Sequence, residues 1–459
     1  MKSLQDNCGV FGLYAETECV HDIFQGIDFL QHRGQEYCGI ATFDEGIRIV
    51  THYGKAANTF RDQELGYLKG TWGIGHVSLR ERQPVRWRSQ LGEIAVAFGG
   101  NIVNADELIE EMKSRGRAFY DGYNVEIISK IIMEERDVVA GIRALSKIIR
   151  GAYSLVVLTR DGIYAARDIY AFRPLVLGQG PGKYVIASES RAIQNLEMEF
   201  IRDVRPGEIL LVNDKGFQTL AQLDSPRRAH CAFEWAYTAS LDSIIDGVYV
   251  QEARNQLGGS LAQRDMDEGG LEVDIVAAVP MSGIGHALGY HKRSKISYQE
   301  VFLYNRYADR SYTQSNQPAR EKMAKRKLSV LQHAVKGQRV VLCDDSIVRG
   351  TQILYKVRDL KEAGAQQVHV RIACPPLMYP CDFGISTRTY EELAARRHFK
   401  TGNITSMKKL RDLEALIADQ IGADSVKYNS LDAFVSALGI PKQQLCLKCF
   451  DGLDPTETQ

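Results

Sequence analysis

The chain predicts two domains of different class, an α+β domain followed by an α/β domain. Three observations carry this expectation. Its 459 residues exceed the usual length of one domain and can bury two cores. Up to about residue 230 the apolar runs are short and bounded by turns, as in Tyr153 to Leu158, Gly162 to Ala166 and Tyr184 to Ala187. After a changeover at about 226–240, strand-length runs alternate with helical stretches: Val273 to Val279, Val301 to Tyr304, Val340 to Asp344 and Val368 to Ile372. That alternation predicts a mainly parallel sheet with helices on both faces.

Bulk composition narrows the function classes. Apolar residues make up 44% and charged residues 25%, as in a soluble globular protein. Lys plus Arg equals Asp plus Glu at 57 each, which gives no support to nucleic acid or an anionic membrane as the main partner. No apolar run approaches the ~18 residues of a membrane span. Met1 to Asn7 is short and polar, unlike a secretory signal. The default location is cytoplasmic. The nine cysteines then read as free, metal-binding or catalytic rather than disulfide-bonded.

In chain order, Cys8-Gly9-Val10-Phe11-Gly12 comes first; taken alone, Cys8 is a small residue entering a strand. Gln31-His32-Arg33-Gly34-Gln35-Glu36 closes a helical stretch and leads into Gly39-Ile40-Ala41. Pro181-Gly182 marks a turn. The richest stretch is Val340-Val341-Leu342-Cys343-Asp344-Asp345-Ser346-Ile347-Val348-Arg349-Gly350-Thr351, followed by a periodic run from Gln352 to Ala363. It reads as a buried strand, a tight loop and a helix. Such a loop offers free N–H groups and the positive end of a helix dipole to an anion. Ser346 and Thr351 add hydroxyls. Asp344 and Asp345 suit ribose hydroxyls or Mg²⁺. A ligand with a sugar and phosphates follows; the alternative is an acidic, well-capped turn. Thr389 to His398 and Thr405 to Gln420 read as amphipathic helices with solvated faces. Cys446-Leu447-Lys448-Cys449 alone fits a redox pair, half a zinc site or nothing. Cys19, Cys38, Cys343 and Cys374 lie in apolar surroundings and read as core.

Together, the Cys8 and Gln31 to Glu36 segments resemble the class II glutamine amidotransferase domain of the glutamine PRPP amidotransferase family. The resemblance continues through Gly75-His76-Val77, Gln83-Pro84, Gly100-Asn101, Asn104-Ala105, Lys147 to Tyr153, Arg173-Pro174-Leu175, Ala187-Ser188-Glu189, Pro206-Gly207-Glu208 and Ile245-Asp246-Gly247. The string from Val340 to Thr351 resembles the PRPP loop of type I phosphoribosyltransferases. The resemblance implies a four-layer N-terminal nucleophile (Ntn) hydrolase sandwich over 8–230, preceded by a candidate propeptide at 1–7. A type I phosphoribosyltransferase domain with a helical tail is implied over 231–459. Cys8 and Gly100 become the catalytic candidates of the first domain. A free α-amine, with a pKa of roughly 7.7–8, would activate the Cys8 thiol once residues 1–7 are removed. The thiolate would form a thioester with glutamine and release ammonia. In the second domain Asp344 and Asp345 would bind the ribose hydroxyls. Ser346, Ile347, Val348, Arg349, Gly350 and Thr351 would hold the 5′-phosphate, and Ser282 would join the two acids around Mg²⁺. Cys231, Cys381, Cys446 and Cys449 match cysteines that hold a [4Fe–4S] cluster in one branch of the family; Cys₄ zinc is the chemical rival. A homotetramer is also implied.

The same resemblance exposes departures. Ser78-Leu79 replaces Arg-Tyr, whose arginine holds the glutamine carboxylate; Arg80, two residues on, would share the Ser78 face of a continuing strand. Gly99 replaces the asparagine that donates to the oxyanion, a loss that costs on the order of 10²–10³ in rate. Asn124 replaces the aspartate that holds the glutamine amine. Met281 replaces an acid and Tyr304 a lysine near PRPP, and Asp309-Arg310-Ser311 replaces Gly-Arg-Thr in the loop expected over 308–317. Three expectations result. One is an amidophosphoribosyltransferase that delivers glutamine-derived ammonia to PRPP, giving phosphoribosylamine and pyrophosphate in purine synthesis. Another is a related transferase that uses ammonia or another amine, with impaired glutamine hydrolysis. The last is a non-catalytic PRPP-binding regulator.

Overall fold

The computed structural model describes residues 8–304, 328–385, 387, 389–400 and 402–457. The candidate propeptide and the 308–317 loop lie outside the described residues, as do Asn305, Arg306 and Tyr307.

The first half contains two antiparallel sheets. One has seven strands in the order Glu199–Asp203, Val176–Gly180, Lys183–Ala187, Gly9–Ala15, Trp72–Ser78, Tyr37–Phe43 and Ile47–Tyr53. The other has six: Gly216–Gln222, Glu208–Asn213, Gly162–Arg167, Gly151–Thr159, Gly92–Ile102 and Val85–Ser89. Period-two alternation sends neighbouring side chains into different layers. On the Gly92–Ile102 strand, Ala95 and Ala97 meet Val10, Ile74 and Ile186 between the sheets. Ile94, Val96 and Phe98 face outward onto Leu108, Ile128, Ile131, Ile142 and Leu145 of three helices. On the Gly9–Ala15 strand, Phe11 and Leu13 pack on Ile23 and Ile27 of the Val20–Phe29 helix. The order is therefore helix, sheet, sheet, helix, the expected four layers.

The second half is built on a five-stranded, wholly parallel sheet: Ser297–Tyr298, Ile275–Ala278, Arg339–Asp344, Gln367–Ile372 and Ser425–Tyr428. Leu261, Ala287 and Tyr290 cover one face against Val276 and Val341. Ile353, Val357, Leu413 and Ile417 cover the other against Leu342 and Val370. Arg339–Asp344 is the central strand, so its carboxyl end opens between two neighbours.

Two local expectations need correction. The run from Val301 to Tyr304 does not join the parallel sheet; Phe302–Tyr304 pairs antiparallel with Leu328–Val330 in a separate ribbon. Apolar length made it a strand, but pairing is decided by distant residues. The stretch from Thr389 to His398 is not one helix. It divides into a 3₁₀ turn, Tyr390–Glu392, and a short helix, Ala394–His398. The Thr405 to Gln420 expectation fares better: Met407–Ile421 is helical, capped by the Ser406 hydroxyl and ended at Gly422 with φ of 69°.

Candidate active site

The central strand delivers Asp344 and Asp345 to the sheet's carboxyl edge, where both are buried. The loop returns as the Thr351–Glu362 helix, entered through Gly350 at φ of 82° and ψ of −17°. This left-handed backbone favours glycine. Backbone bonds fix the loop's base: Ala373 N–H donates to Asp344 O at 3.0 Å and Cys374 N–H to Asp345 O at 2.8 Å. Ile347 is buried as an anchor. Farther along, Val348 O accepts from Ala394 N–H at 2.7 Å, Arg397 donates to Arg349 O, and Arg349 pairs with Glu392 at 3.0 Å. Thr351 opens the helix and is exposed.

Ser282, 62 residues before Asp344, donates its hydroxyl to Asp344 Oδ1 at 2.8 Å. Asp345 N–H donates to the same oxygen at 3.0 Å, and Ser346 Oγ donates to the Asp345 carboxylate. Lys356, one turn into the helix, places Nζ 3.6 Å from Asp344 Oδ2. Burial, then the negative charge of Asp344, pushes the Asp345 carboxyl up to about 8. Two buried, adjacent carboxylates call for a cation or paired hydroxyl donors, so the donor set fits Mg²⁺ or a ribose diol. Ser282, Asp344, Asp345 and Ser346 thus come together, while Val348 and Arg349 are tied to Ala394 and Glu392 and Thr351 begins the helix. Lys356 was missed because it lies inside an ordinary periodic helix. Met281, beside Ser282, and Tyr304, on the separate ribbon, are 65% and 40% exposed, so neither residue is drawn into the core.

A second candidate centre lies at Cys8, which is buried at the head of the Gly9–Ala15 strand. A methyl group at Gly99 would lie 3.2 Å from Cys8 O and 3.3 Å from Cys8 Cβ, so Gly99 is its direct neighbour. Gly100 has φ of 146°, and a methyl there would fall 1.9 Å from Ala152 O. Ser78 is buried, with its hydroxyl donating to Glu81 O at 2.6 Å. The strand ends at Ser78, and Leu79 and Arg80 lie in a bend. Strand alternation therefore does not place Arg80 beside Ser78.

Asn124 opens the Asn124–Glu134 helix and is buried. Its N–H donates to Glu81 Oε1 at 3.0 Å, while Val125 N–H and Gln83 Nε2 reach Glu81 Oε2 at 3.3 and 3.2 Å. The Asn124 side chain donates to Asn101 Oδ1 at 3.3 Å, and Asn101 donates to Asp382 O at 2.8 Å, 281 residues away. Glu81, like Lys356, was not legible in the sequence. Between Arg80 and Arg82 it reads as a solvated charge, yet it is 7% exposed and caps a helix.

The four cysteines expected to bind a cluster also come together. Cys231 and Cys446 face each other across a short parallel ladder. Phe383 and Ile385 N–H groups donate to Cys381 Sγ at 3.3 and 3.4 Å. Cys449 O accepts from Met378 and Tyr379 N–H at 2.9 and 3.1 Å. All four are free, buried and part of one apolar cluster. Burial pushes the Cys231 thiol up to about 12, and Cys381 and Glu234 add to the effect; Cys446 and Cys449 are pushed well above the ordinary thiol range. Among the described residues, no three His, Cys, Asp or Glu side chains already converge as ligands of a metal ion. The donor chemistry fits a thiolate-bound group: four buried cysteines of one cluster, with the Cys381 sulfur already receiving two N–H bonds. Cys19, Cys38, Cys343 and Cys374 are core residues, as expected.

A glutamine amidotransferase domain model matches residues 74–195. The chain is 38% identical to an amidophosphoribosyltransferase of Archaeoglobus fulgidus over 98% of both chains. It is 36% identical to an amidophosphoribosyltransferase of Bacillus subtilis, over 100% of this chain and 96% of that one. The solved glutamine PRPP amidotransferase of B. subtilis, complexed with ADP and GMP, superposes with a TM-score of 0.88 at 35% identity, covering 98% of each chain.

Proposed function

Because this chain belongs to the amidophosphoribosyltransferase family, we infer that it joins ammonia to PRPP with loss of pyrophosphate. The ammonia nitrogen attacks C1 of the ribose, the C1–oxygen bond breaks, and pyrophosphate leaves with the bonding pair. One observation carries the assignment of this step: the central strand presents Asp344 and Asp345 beside Ser282 at the mouth of an anion-binding loop. The two carboxylates hold the ribose hydroxyls. Ser346 to Thr351 hold the 5′-phosphate through N–H groups and hydroxyls. Asp344, Asp345 and Ser282 would hold Mg²⁺, which when bound supplies positive charge for the leaving pyrophosphate. Purine synthesis in the cytoplasm is the setting this reading proposes, with a homotetramer as the assembly. No helix among the described residues is long and apolar enough to cross a membrane.

In the family reading ammonia comes from glutamine at Cys8, with Gly100 shaping the backbone beside it. A second donor, free ammonia, is favoured by the residues around Cys8. Ser78 and Asn124 are neutral, Gly99 has no side chain to donate, and the buried carboxylate is Glu81, already committed to a helix end. Without an arginine at position 78, the site lacks the cation that holds glutamine's carboxylate in the family reading. Division into an amidotransferase unit at 8–230 and a phosphoribosyltransferase unit at 231–459 is part of the proposal. So is a [4Fe–4S] cluster on Cys231, Cys381, Cys446 and Cys449, tying the tail to the body of the protein.

The test is pyrophosphate release from PRPP and Mg²⁺ by anaerobically purified protein, with glutamine or ammonium as donor. Glutamine-driven release that disappears in Cys8→Ala supports the first donor. Release with ammonium alone supports the second. Failure with both overturns the transferase reading.

A further inference from the structure

Four thiolates around a metal–sulfide core would place negative charge in a buried site, and such charge needs a cation or oriented N–H groups close by. Arg173 is placed to meet that need. It is 4% exposed. Its Nη2 donates to Gly384 O at 2.6 Å, within the loop whose Phe383 and Ile385 N–H groups reach Cys381 Sγ. The approach is close: a methyl at Gly384 would fall 2.3 Å from Nη2 and 2.9 Å from Cζ. The residue before it, Phe172, accepts from Cys231 N–H at 3.1 Å. Arg173 therefore touches the Cys381 loop and follows directly on the backbone that holds Cys231. Lys448, between Cys446 and Cys449, is instead paired with Asp382 and Asp454.

Glu234 acts in the opposite sense. Its Oε1 lies 2.6 Å from Arg173 Nη1, and its Oε2 lies 2.6 Å from Arg33 Nη2. It holds Arg173 in place but adds negative charge three residues from Cys231. We propose that Arg173 is the charge partner of the four-cysteine site, held there by Glu234, and that it sets how firmly the site retains its iron. This rests on the cluster reading above.

Opposite charges give the proposal opposite signs to test. The experiment uses the full chain, purified anaerobically. Iron and sulfide are measured first, and then iron release to a ferrous chelator at fixed pH, with the reduction potential by mediated titration. In Arg173→Gln, iron leaves roughly tenfold faster or more, the change expected when one charge-assisted interaction is lost, and the potential falls. Arg173→Lys keeps the charge and stays near the parent. Glu234→Gln removes the opposing charge while its amide oxygen can still accept from Arg173, so iron leaves more slowly than from the parent and the potential rises. If Arg173→Gln does not fold, the lysine and Glu234→Gln variants still carry the comparison. A parent protein without iron and sulfide overturns the cluster reading and this proposal together. Iron present in the parent, with all variants releasing it at the parental rate, overturns this proposal alone. Faster release from both glutamine variants shows a loosened fold rather than a charge effect and also overturns it.

Discussion

Gly99 and Gly100 are adjacent on one strand but have different reasons to be glycine. Gly100 combines a left-handed φ of 146° with a backbone oxygen 1.9 Å from where a methyl would sit. Gly100→Ala should cost about 2–4 kcal/mol, read as a lower denaturant midpoint. Gly99 has only 3.2–3.3 Å contacts to Cys8, so Gly99→Ala should cost at most about 1 kcal/mol in the same measurement. Asp345 gives a pH test. Its carboxyl, raised to about 8 by burial and Asp344, binds a proton in the folded ligand-free protein that the unfolded chain releases near 4. The stability it contributes is full below that lower value and is lost as pH rises through about 8. Thermal midpoints measured from pH 6 to 9 without ligand should fall less steeply in Asp345→Asn than in the parent. An unchanged slope would contradict the assignment. Under the proposed function, the same variant should also weaken PRPP binding measured with Mg²⁺ present.

Among elements, the Asn124–Glu134 helix is capped by a carboxylate from a distant part of the chain. Glu81 accepts from the N–H groups of both Asn124 and Val125. Glu81→Ala should therefore destabilise the protein by about 1–2 kcal/mol, the value of a good helix cap with charge assistance, in equilibrium denaturation. This cap was not legible in the sequence, since its contacts span more than forty residues. The strand, loop and helix around Asp344 were legible because every determinant is local: an apolar run, two acids, then Gly350-Thr351. The four layers of the first half were legible in outline for the same reason, through alternation. The Phe302–Tyr304 ribbon was not, because its few apolar residues suit either a ribbon or a sheet, and only the partner Leu328–Val330 decides.

For the whole molecule, the buried carboxylate Glu189 joins sequence regions that no local pattern relates. It is fully buried and pairs with Arg33, and with His32 at 2.7 Å. It also accepts from Ser240 N–H at 2.8 Å and Ser243 Oγ at 2.7 Å. Arg33 in turn reaches Glu234, which also binds Arg173. The turn beside Cys8 is thereby fastened to the segment that precedes the Val250–Asp267 helix. Such a network adds little as a set of ion pairs, since desolvation offsets attraction, but breaking one member strands the others. Glu189→Ala should accordingly cost about 3–5 kcal/mol. The positive charges of His32 and Arg33 hold the Glu189 carboxyl well below its ordinary range, against the opposing effect of burial. Its stability contribution is present above the ordinary glutamate value and is lost as pH falls through the lowered folded value. Calorimetry at pH 7 should show a large drop in the thermal midpoint of Glu189→Ala, and on acidification the difference from the parent should shrink. A difference that persists undiminished at low pH would mean that the carboxylate's charge is not what fastens the two halves.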